Sequence, residues 1–206
     1  MSSSPSSVSS LILKQGARRS KGLEVIRNNI LAAKIMGDIM KTTLGPRAMR
    51  KMIVETFDVT VTSDGRTVLE KINIQHPTAK IIAESSKWTD IVVGDGTTTV
   101  AVLAASLLER AQELIDKGVH PTTIVDGYLD AGVKAEAILD ELVQRVDPED
   151  KKQLIKIATT AIETKIDSRD TPVLAEIVVE AVLQVTSKTG DTFRVDKEAL
   201  NVVKKW

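Results

Sequence analysis

The chain has 206 residues, enough for one large or two small domains. Its 28 basic and 28 acidic side chains cancel, so the whole molecule has no bulk attraction to nucleic acid or to anionic membranes. Cysteine is absent, which excludes disulfides and thiolate metal sites and suits a reducing cytoplasm. The aromatic residues are Phe57, Trp88, Tyr128, Phe193 and Trp206. The core must therefore be aliphatic, and platforms for stacking bases are scarce. No apolar run approaches the length of a membrane span.

Met1 to Ser10 is rich in serine and lacks the hydrophobic stretch of a secretion signal; residues 1–15 read as a disordered tail. Lys14, Arg18, Arg19 and Lys21 follow without aromatic company, which favours a solvated flank over a nucleic-acid arm. Leu23, Ile26, Ile30, Ala33, Gly37, Met40 and Leu44 recur at spacings of three and four, one face of a helix stopped by Gly45-Pro46. Met52-Ile53-Val54 and Val59-Thr60-Val61 flank Thr56-Phe57-Asp58 and predict a hairpin. Ser63-Asp64-Gly65 reads as a turn, Thr67 to Ile72 as a short helix, and Pro77 as the start of a helix ending near Trp88.

A helix beginning at Thr97 is apolar all round in its first turns, which predicts a buried start, and is amphipathic from Glu109 until Gly118. Pro121 opens another, with Ile124, Tyr128, Ala131, Ala135, Ile138 and Leu142 on one face. Asp147-Pro148 and Thr171-Pro172 each supply a cap and a first-turn proline for two further helices. Leu200 to Val203 reads as a strand. The expected fold is mainly α with one small hairpin, and Asp147 marks a domain boundary.

Gly94-Asp95-Gly96-Thr97-Thr98-Thr99 at a helix start is the most informative stretch. A helix N-terminus offers unpaired N–H donors and the positive end of a dipole to an anion. Asp95 repels a phosphate directly but suits a Mg²⁺ that bridges phosphate oxygens. The plain alternative is an aspartate N-cap. Thr42-Thr43-Leu44-Gly45-Pro46-Arg47, Thr62-Ser63-Asp64-Gly65-Arg66-Thr67 and Thr164-Lys165 are, taken singly, a helix stop, a turn and a surface lysine.

In this order, together with His76-Pro77 and His120-Pro121-Thr122-Thr123-Ile124, these segments resemble the group II chaperonins, the thermosome and the eukaryotic cytosolic chaperonin. The resemblance runs from about Gly16 to Val203. It implies the amino-terminal half of the multihelical, ATP-binding equatorial domain over 16–146. The first segment of an α/β intermediate domain follows over 147–206. Leu44, Gly45 and Pro46 resemble the loop over the nucleotide phosphates, and Asp95 the Mg²⁺ ligand. Gly96, Thr97, Thr98 and Thr99 resemble the phosphate cradle. Asp64 resembles the catalytic acid that orients the attacking water, and Lys165 the lysine that senses the terminal phosphate.

The chain departs from the family pattern at Arg47, where lysine is common, and at Ala48 and Thr164, where glycine is usual. It departs again at Ile91-Val92-Val93, where acids are common. Family chains are more than twice as long. The apical domain, the return half of the intermediate domain and a second catalytic aspartate belong to segments beyond these residues, and the ending at Trp206 reads as a cut. The function implied is that of a cytoplasmic, ATP- and Mg²⁺-dependent folding chaperone. Its partners would be other subunits of a double ring and unfolded clients held by the apical domain, without nucleic acid or membrane. The alternative is a truncated, non-catalytic subunit that docks on full-length rings. An unrelated phosphotransfer enzyme built on Asp64 and Asp95 lacks the glycine-rich Walker or kinase loop it would need.

Overall fold

The computed structural model describes residues 21–45, 47–166, 169–190 and 192–203. The expected tail, the basic residues Lys14, Arg18 and Arg19, and also Pro46 and Trp206, lie outside the described residues. Helix α1 (Leu23–Lys41) buries Ile30, Ala33, Met36, Gly37 and Met40, the face that the spacing predicts. Strands β1 (Lys51–Val54) and β2 (Val59–Thr62) form the expected antiparallel hairpin, with Ile53 opposite Thr60. Ile53 packs on the core, while Met52, Val54, Val59 and Val61 are exposed and Phe57 at the tip is 99% exposed.

Helices α2 (Gly65–Lys71), α3 (Pro77–Val93), α4 (Thr97–Asp116) and α5 (Pro121–Leu142) follow. α3 and α5 begin alike: the Nδ1 of His76 and of His120 accepts the N–H two residues on, and the following proline starts the helix. α1 and α4 run antiparallel, pinned by ion pairs of Arg27 with Asp116 and of Lys34 with Glu109. The core joins Ala33, Met36 and Met40 of α1 to Val68 and Leu69 of α2, Ala79, Ile82 and Ala83 of α3, and Ala101 of α4. Where glycine and alanine face each other the helix axes approach closely. A Cβ added at Gly37 would stand 2.4 Å from the Ala105 Cβ, and one at Gly65 would stand 2.5 Å from the Thr98 hydroxyl.

Helices α6 (Lys151–Glu163) and α7 (Thr171–Gln184) pack on each other, with Lys151 and Glu180 paired at 2.6 Å. A second hairpin, β3 (Thr186–Thr189) and β4 (Thr192–Val195), follows, and Lys188 lies 4.9 Å above the Phe193 ring while pairing with Glu149. A 3-10 turn spans Lys197–Ala199.

Several boundaries differ from the sequence expectation, each for a local reason. α3 runs past Trp88 to Val93 because nothing breaks it before Gly94, which adopts φ 81°. Its last turn buries no apolar residue, so the periodicity fades before the helix does. Ser63-Asp64-Gly65 is a helix start rather than a free turn: Asp64 is the N-cap and Gly65 already helical. Asp150, not Asp147, caps α6, accepting from the N–H groups of Lys152 and Gln153, while Asp147 holds the Glu149 N–H in the preceding turn. Thr171 is the first residue of α7, with Asp170 at the N-cap position.

Leu200 to Val203 has no strand pairing. The second hairpin lies upstream, where Thr186–Thr189 is polar throughout and only the four residues Thr192–Val195 alternate. α4 is buried on one face only, through Thr97, Ala101, Ala105 and Ala111; Leu103 and Leu107 on the other side are exposed. α5 buries only Ile124, and Tyr128 donates its hydroxyl to the Leu107 carbonyl at 2.7 Å, while Leu129, Val133, Ile138, Leu139 and Leu142 are exposed.

The tight α1–α4 crossing makes a directional prediction. Gly37→Val forces Ala105 away and lowers the free energy of unfolding by about 2 kcal/mol. Gly127→Ala, on α5 with open space at its Cβ position, raises it by about 0.5–1 kcal/mol through helix propensity. Urea denaturation followed by circular dichroism reads both.

Candidate functional site

Five stretches distant in sequence line one cavity of about 130 Å³: 43–45, 63–65, Asp90, 94–99 and 164–165. The antiparallel α1–α4 pair carries the C-terminal end of α1 to the N-terminal end of α4. Gly65, lacking a side chain, lets the start of α2 touch Thr98. Gly94 (φ 81°) ends α3 and Gly96 (φ 86°) starts α4, so the chain reverses about Asp95. Only glycine adopts these left-handed angles without strain.

Gly96 is the N-cap of α4, and no side chain caps the helix. The aspartate-cap reading is therefore wrong: Asp95 precedes the cap and its exposed carboxylate accepts only the Gly96 N–H among the described contacts, at 2.7 Å. The first N–H groups of α4 are left facing the cavity, where dipole and donors together favour an anion.

Asp64 stands opposite. Its Oδ2 accepts from the Thr67 backbone N–H at 3.0 Å and from the Thr67 hydroxyl at 2.8 Å, which caps α2. Its Oδ1 meets the Lys165 ammonium at 3.3 Å across 101 residues of sequence. Partial burial pushes the Asp64 carboxyl up, but the two Thr67 donors and the Lys165 charge outweigh it and hold the group below its ordinary 3.8. Lys165 follows the end of α6, and its carbonyl accepts from the Arg50 guanidinium at 3.3 Å. Both ends of this ion pair are more than a third exposed, so solvent limits it to about 0–1 kcal/mol. Its value is positional.

Leu44 and Gly45 line the cavity, but the Leu44 N–H turns back onto the Lys41 carbonyl at 3.3 Å, so Leu44 does not offer that amide to the cavity. Gly45 takes φ 93°; Pro46 is outside the described residues. Thr98 lies against Gly65 and Thr99 is exposed. Thr97 is buried, and its hydroxyl points to Asp90 at 3.4 Å. Asp90 went unnoticed in the sequence because α3 was expected to end near Trp88. With α3 run to Gly94, Asp90 falls one turn before the elbow.

The sequence pattern of the TCP-1/cpn60 chaperonin family matches residues 36–205. The chain belongs to the TCP-1/cpn60 chaperonin family. It is 45% identical over 196 residues to thermosome subunit beta of Thermococcus kodakarensis, covering 95% of this chain and 36% of that protein. The same shares are covered in thermosome subunit alpha of Archaeoglobus fulgidus, at 44% identity. Thermosome subunit gamma of Saccharolobus shibatae is 40% identical over 195 residues, 94% of this chain and 36% of that protein. The chain thus spans about a third of the length of the curated relatives it matches.

The donor set fits a magnesium-bound polyphosphate: open amides and hydroxyls for oxyanions, an ammonium, and a carboxylate at Asp95 for a hard cation. Among the described residues no three metal-ligating side chains gather into a cage. Mg²⁺ usually takes one or two carboxylates and draws its other ligands from phosphate and water, and the exposed carboxylate of Asp95 is of that kind.

The depressed Asp64 carboxyl predicts a pH dependence. A folded-state pKa below the unfolded value contributes stability that is complete above about pH 4 and is lost as pH falls through the folded pKa. The stability advantage of the parent over Asp64→Asn, from urea midpoints, therefore shrinks as pH drops below about 4. In Lys165→Met the Asp64 carboxyl titrates higher than in the parent, as read by carboxyl-detected NMR.

Proposed function

We propose that this chain forms the nucleotide-binding portion of an ATP- and Mg²⁺-dependent protein-folding chaperonin subunit. Residues 16–146 correspond to the amino-terminal half of its equatorial domain, and 147–206 to the first segment of its intermediate domain. The observation that carries the reading is the convergence of Gly45, Asp64, the uncapped α4 start and Lys165 on one cavity. Family membership and the thermosome relatives support it independently.

In this reading the backbone of Gly96, Thr97, Thr98 and Thr99 and the hydroxyls of Thr98 and Thr99 hold phosphate oxygens, with Leu44, Gly45 and Pro46 closing over them. Asp95 binds the Mg²⁺ that offsets phosphate charge. Asp64 orients the attacking water, a role that fits a reaction governed by positioning and charge compensation. Lys165 exchanges its Asp64 partner for the terminal phosphate, so that occupancy of the site moves α6. The partners are other chaperonin subunits in a double ring, which closes around unfolded proteins bound through apical segments outside these residues. The location is cytoplasmic; no helix among the described residues is long and apolar enough to cross a membrane.

Titration calorimetry with ADP tests the site. The 206-residue chain binds ADP weakly and binds it more tightly with Mg²⁺ than in EDTA. Asp95→Ala abolishes most of that Mg²⁺ gain. ATP turnover by the chain alone is negligible, because ring closure and a second catalytic aspartate belong to the whole machine. Equal ADP affinity with and without Mg²⁺ overturns the Asp95 assignment.

A second reading, a non-catalytic subunit that docks on full-length rings, is favoured by the exposed apolar hairpin around Phe57 and the exposed residues of α5. Co-migration with full-length rings in size-exclusion chromatography, without a change in ring ATPase, supports it; failure to co-migrate counts against it.

A further inference from the structure

Asp90 lines the cavity from the last turn of α3, and its side chain is only 22% exposed. Its Oδ2 is held by the Arg66 guanidinium at 3.0 Å, and Arg66 is steadied in turn by Glu70 at 2.9 Å. The other oxygen, Oδ1, faces the Thr97 hydroxyl at 3.4 Å. An ionised carboxylate accepts hydrogen bonds and never donates them, so Thr97 must be the donor. The hydroxyl is thereby directed at Asp90, across a contact at the long end of the hydrogen-bond range. What Thr97 Oγ1 still offers the cavity is a lone pair, which is a ligand for a cation.

We propose that Asp90 is a positioning residue for the divalent ion: it accepts the Thr97 hydroxyl hydrogen bond and leaves a Thr97 Oγ1 lone pair for the cation beside Asp95. The inference rests on the nucleotide and Mg²⁺ reading above and adds a second protein oxygen to it. Arg66 fixes the carboxylate so that it stays on Thr97 rather than swinging onto the ion itself. The 3.4 Å contact is long for a hydroxyl–carboxylate pair, which ordinarily closes to about 2.5–3.0 Å. A cation held on Oγ1 would polarise the O–H bond and make it a stronger donor to Asp90. Arg66 also sits in the first turn of α2, next to Asp64, so the same ion pair ties the Asp64 helix to the α3–α4 elbow.

The test is the ratio of ADP affinities with excess Mg²⁺ and with EDTA, measured by titration calorimetry on the parent chain, Asp90→Asn, Thr97→Val and the double variant. Loss of a residue that orients a metal ligand typically costs 10–100-fold in metal affinity. The ratio is expected to fall about tenfold in Asp90→Asn and at least as far in Thr97→Val, and no further in the double variant than in Thr97→Val, because the carboxylate acts only through the hydroxyl. An unchanged ratio, losses that multiply in the double variant, or equal losses with and without Mg²⁺ would each overturn the proposal. Thr97→Val preserves the side-chain shape and decides the matter alone if Asp90→Asn does not fold. A parent chain that binds no ADP in either condition overturns the nucleotide reading and this inference together; a parent that binds, with ratios unchanged in the variants, overturns this inference alone.

Discussion

The site exists because two helix pairs meet where a side chain is missing. At Gly65 the start of α2 lies against Thr98 so closely that a single methyl group would collide with the threonine hydroxyl. At Gly37 the α1–α4 crossing is equally tight against Ala105. Together these contacts bring an acidic cap, an open helix N-terminus and the loop after α1 to a common point. Interiors packed this densely have no slack to take up a displaced helix. A shift at either glycine would therefore separate Asp64 from the α4 amides.

The charges around the cavity are arranged in opposed pairs rather than as one sign. Asp64 faces Lys165, and Asp90 faces Arg66, while Asp95 has no basic partner among the described contacts. An anion entering at the α4 amides meets repulsion from Asp95 unless a cation comes with it. Lys165 reaches Asp64 from just past the end of α6, so this ion pair joins that helix to the cavity. At its solvent exposure this ion pair is weak, and weak contacts are the ones a ligand can replace.

The rest of the molecule looks outward. The main aliphatic cluster lies among α1–α4, with Ala175 and Val179 of α7 buried outside it, whereas α5, the first hairpin and the far side of α4 carry exposed leucine, valine, isoleucine and phenylalanine. The amphipathic pattern of α5 is genuine, yet among the described residues it buries only Ile124 and adds the Tyr128–Leu107 hydrogen bond.

Helix identities, the first hairpin and the site motif were legible from the sequence because each is encoded within a few neighbouring residues. Periodicity marks a face, His-Pro-Thr marks a start, and paired glycines mark an elbow. The second hairpin escaped because its strands are four residues each and the first, Thr186–Thr189, is polar throughout, and α3 was cut short because its last turn buries no apolar residue. Asp150 took the cap from Asp147 since only backbone geometry decides which of two nearby aspartates meets the free N–H groups. The pairing of Lys165 with Asp64 and the turning of Thr97 toward Asp90 belong to tertiary structure alone. Such contacts depend on how closely distant helices pack, and that distance is set by the whole core rather than by any local stretch of chain.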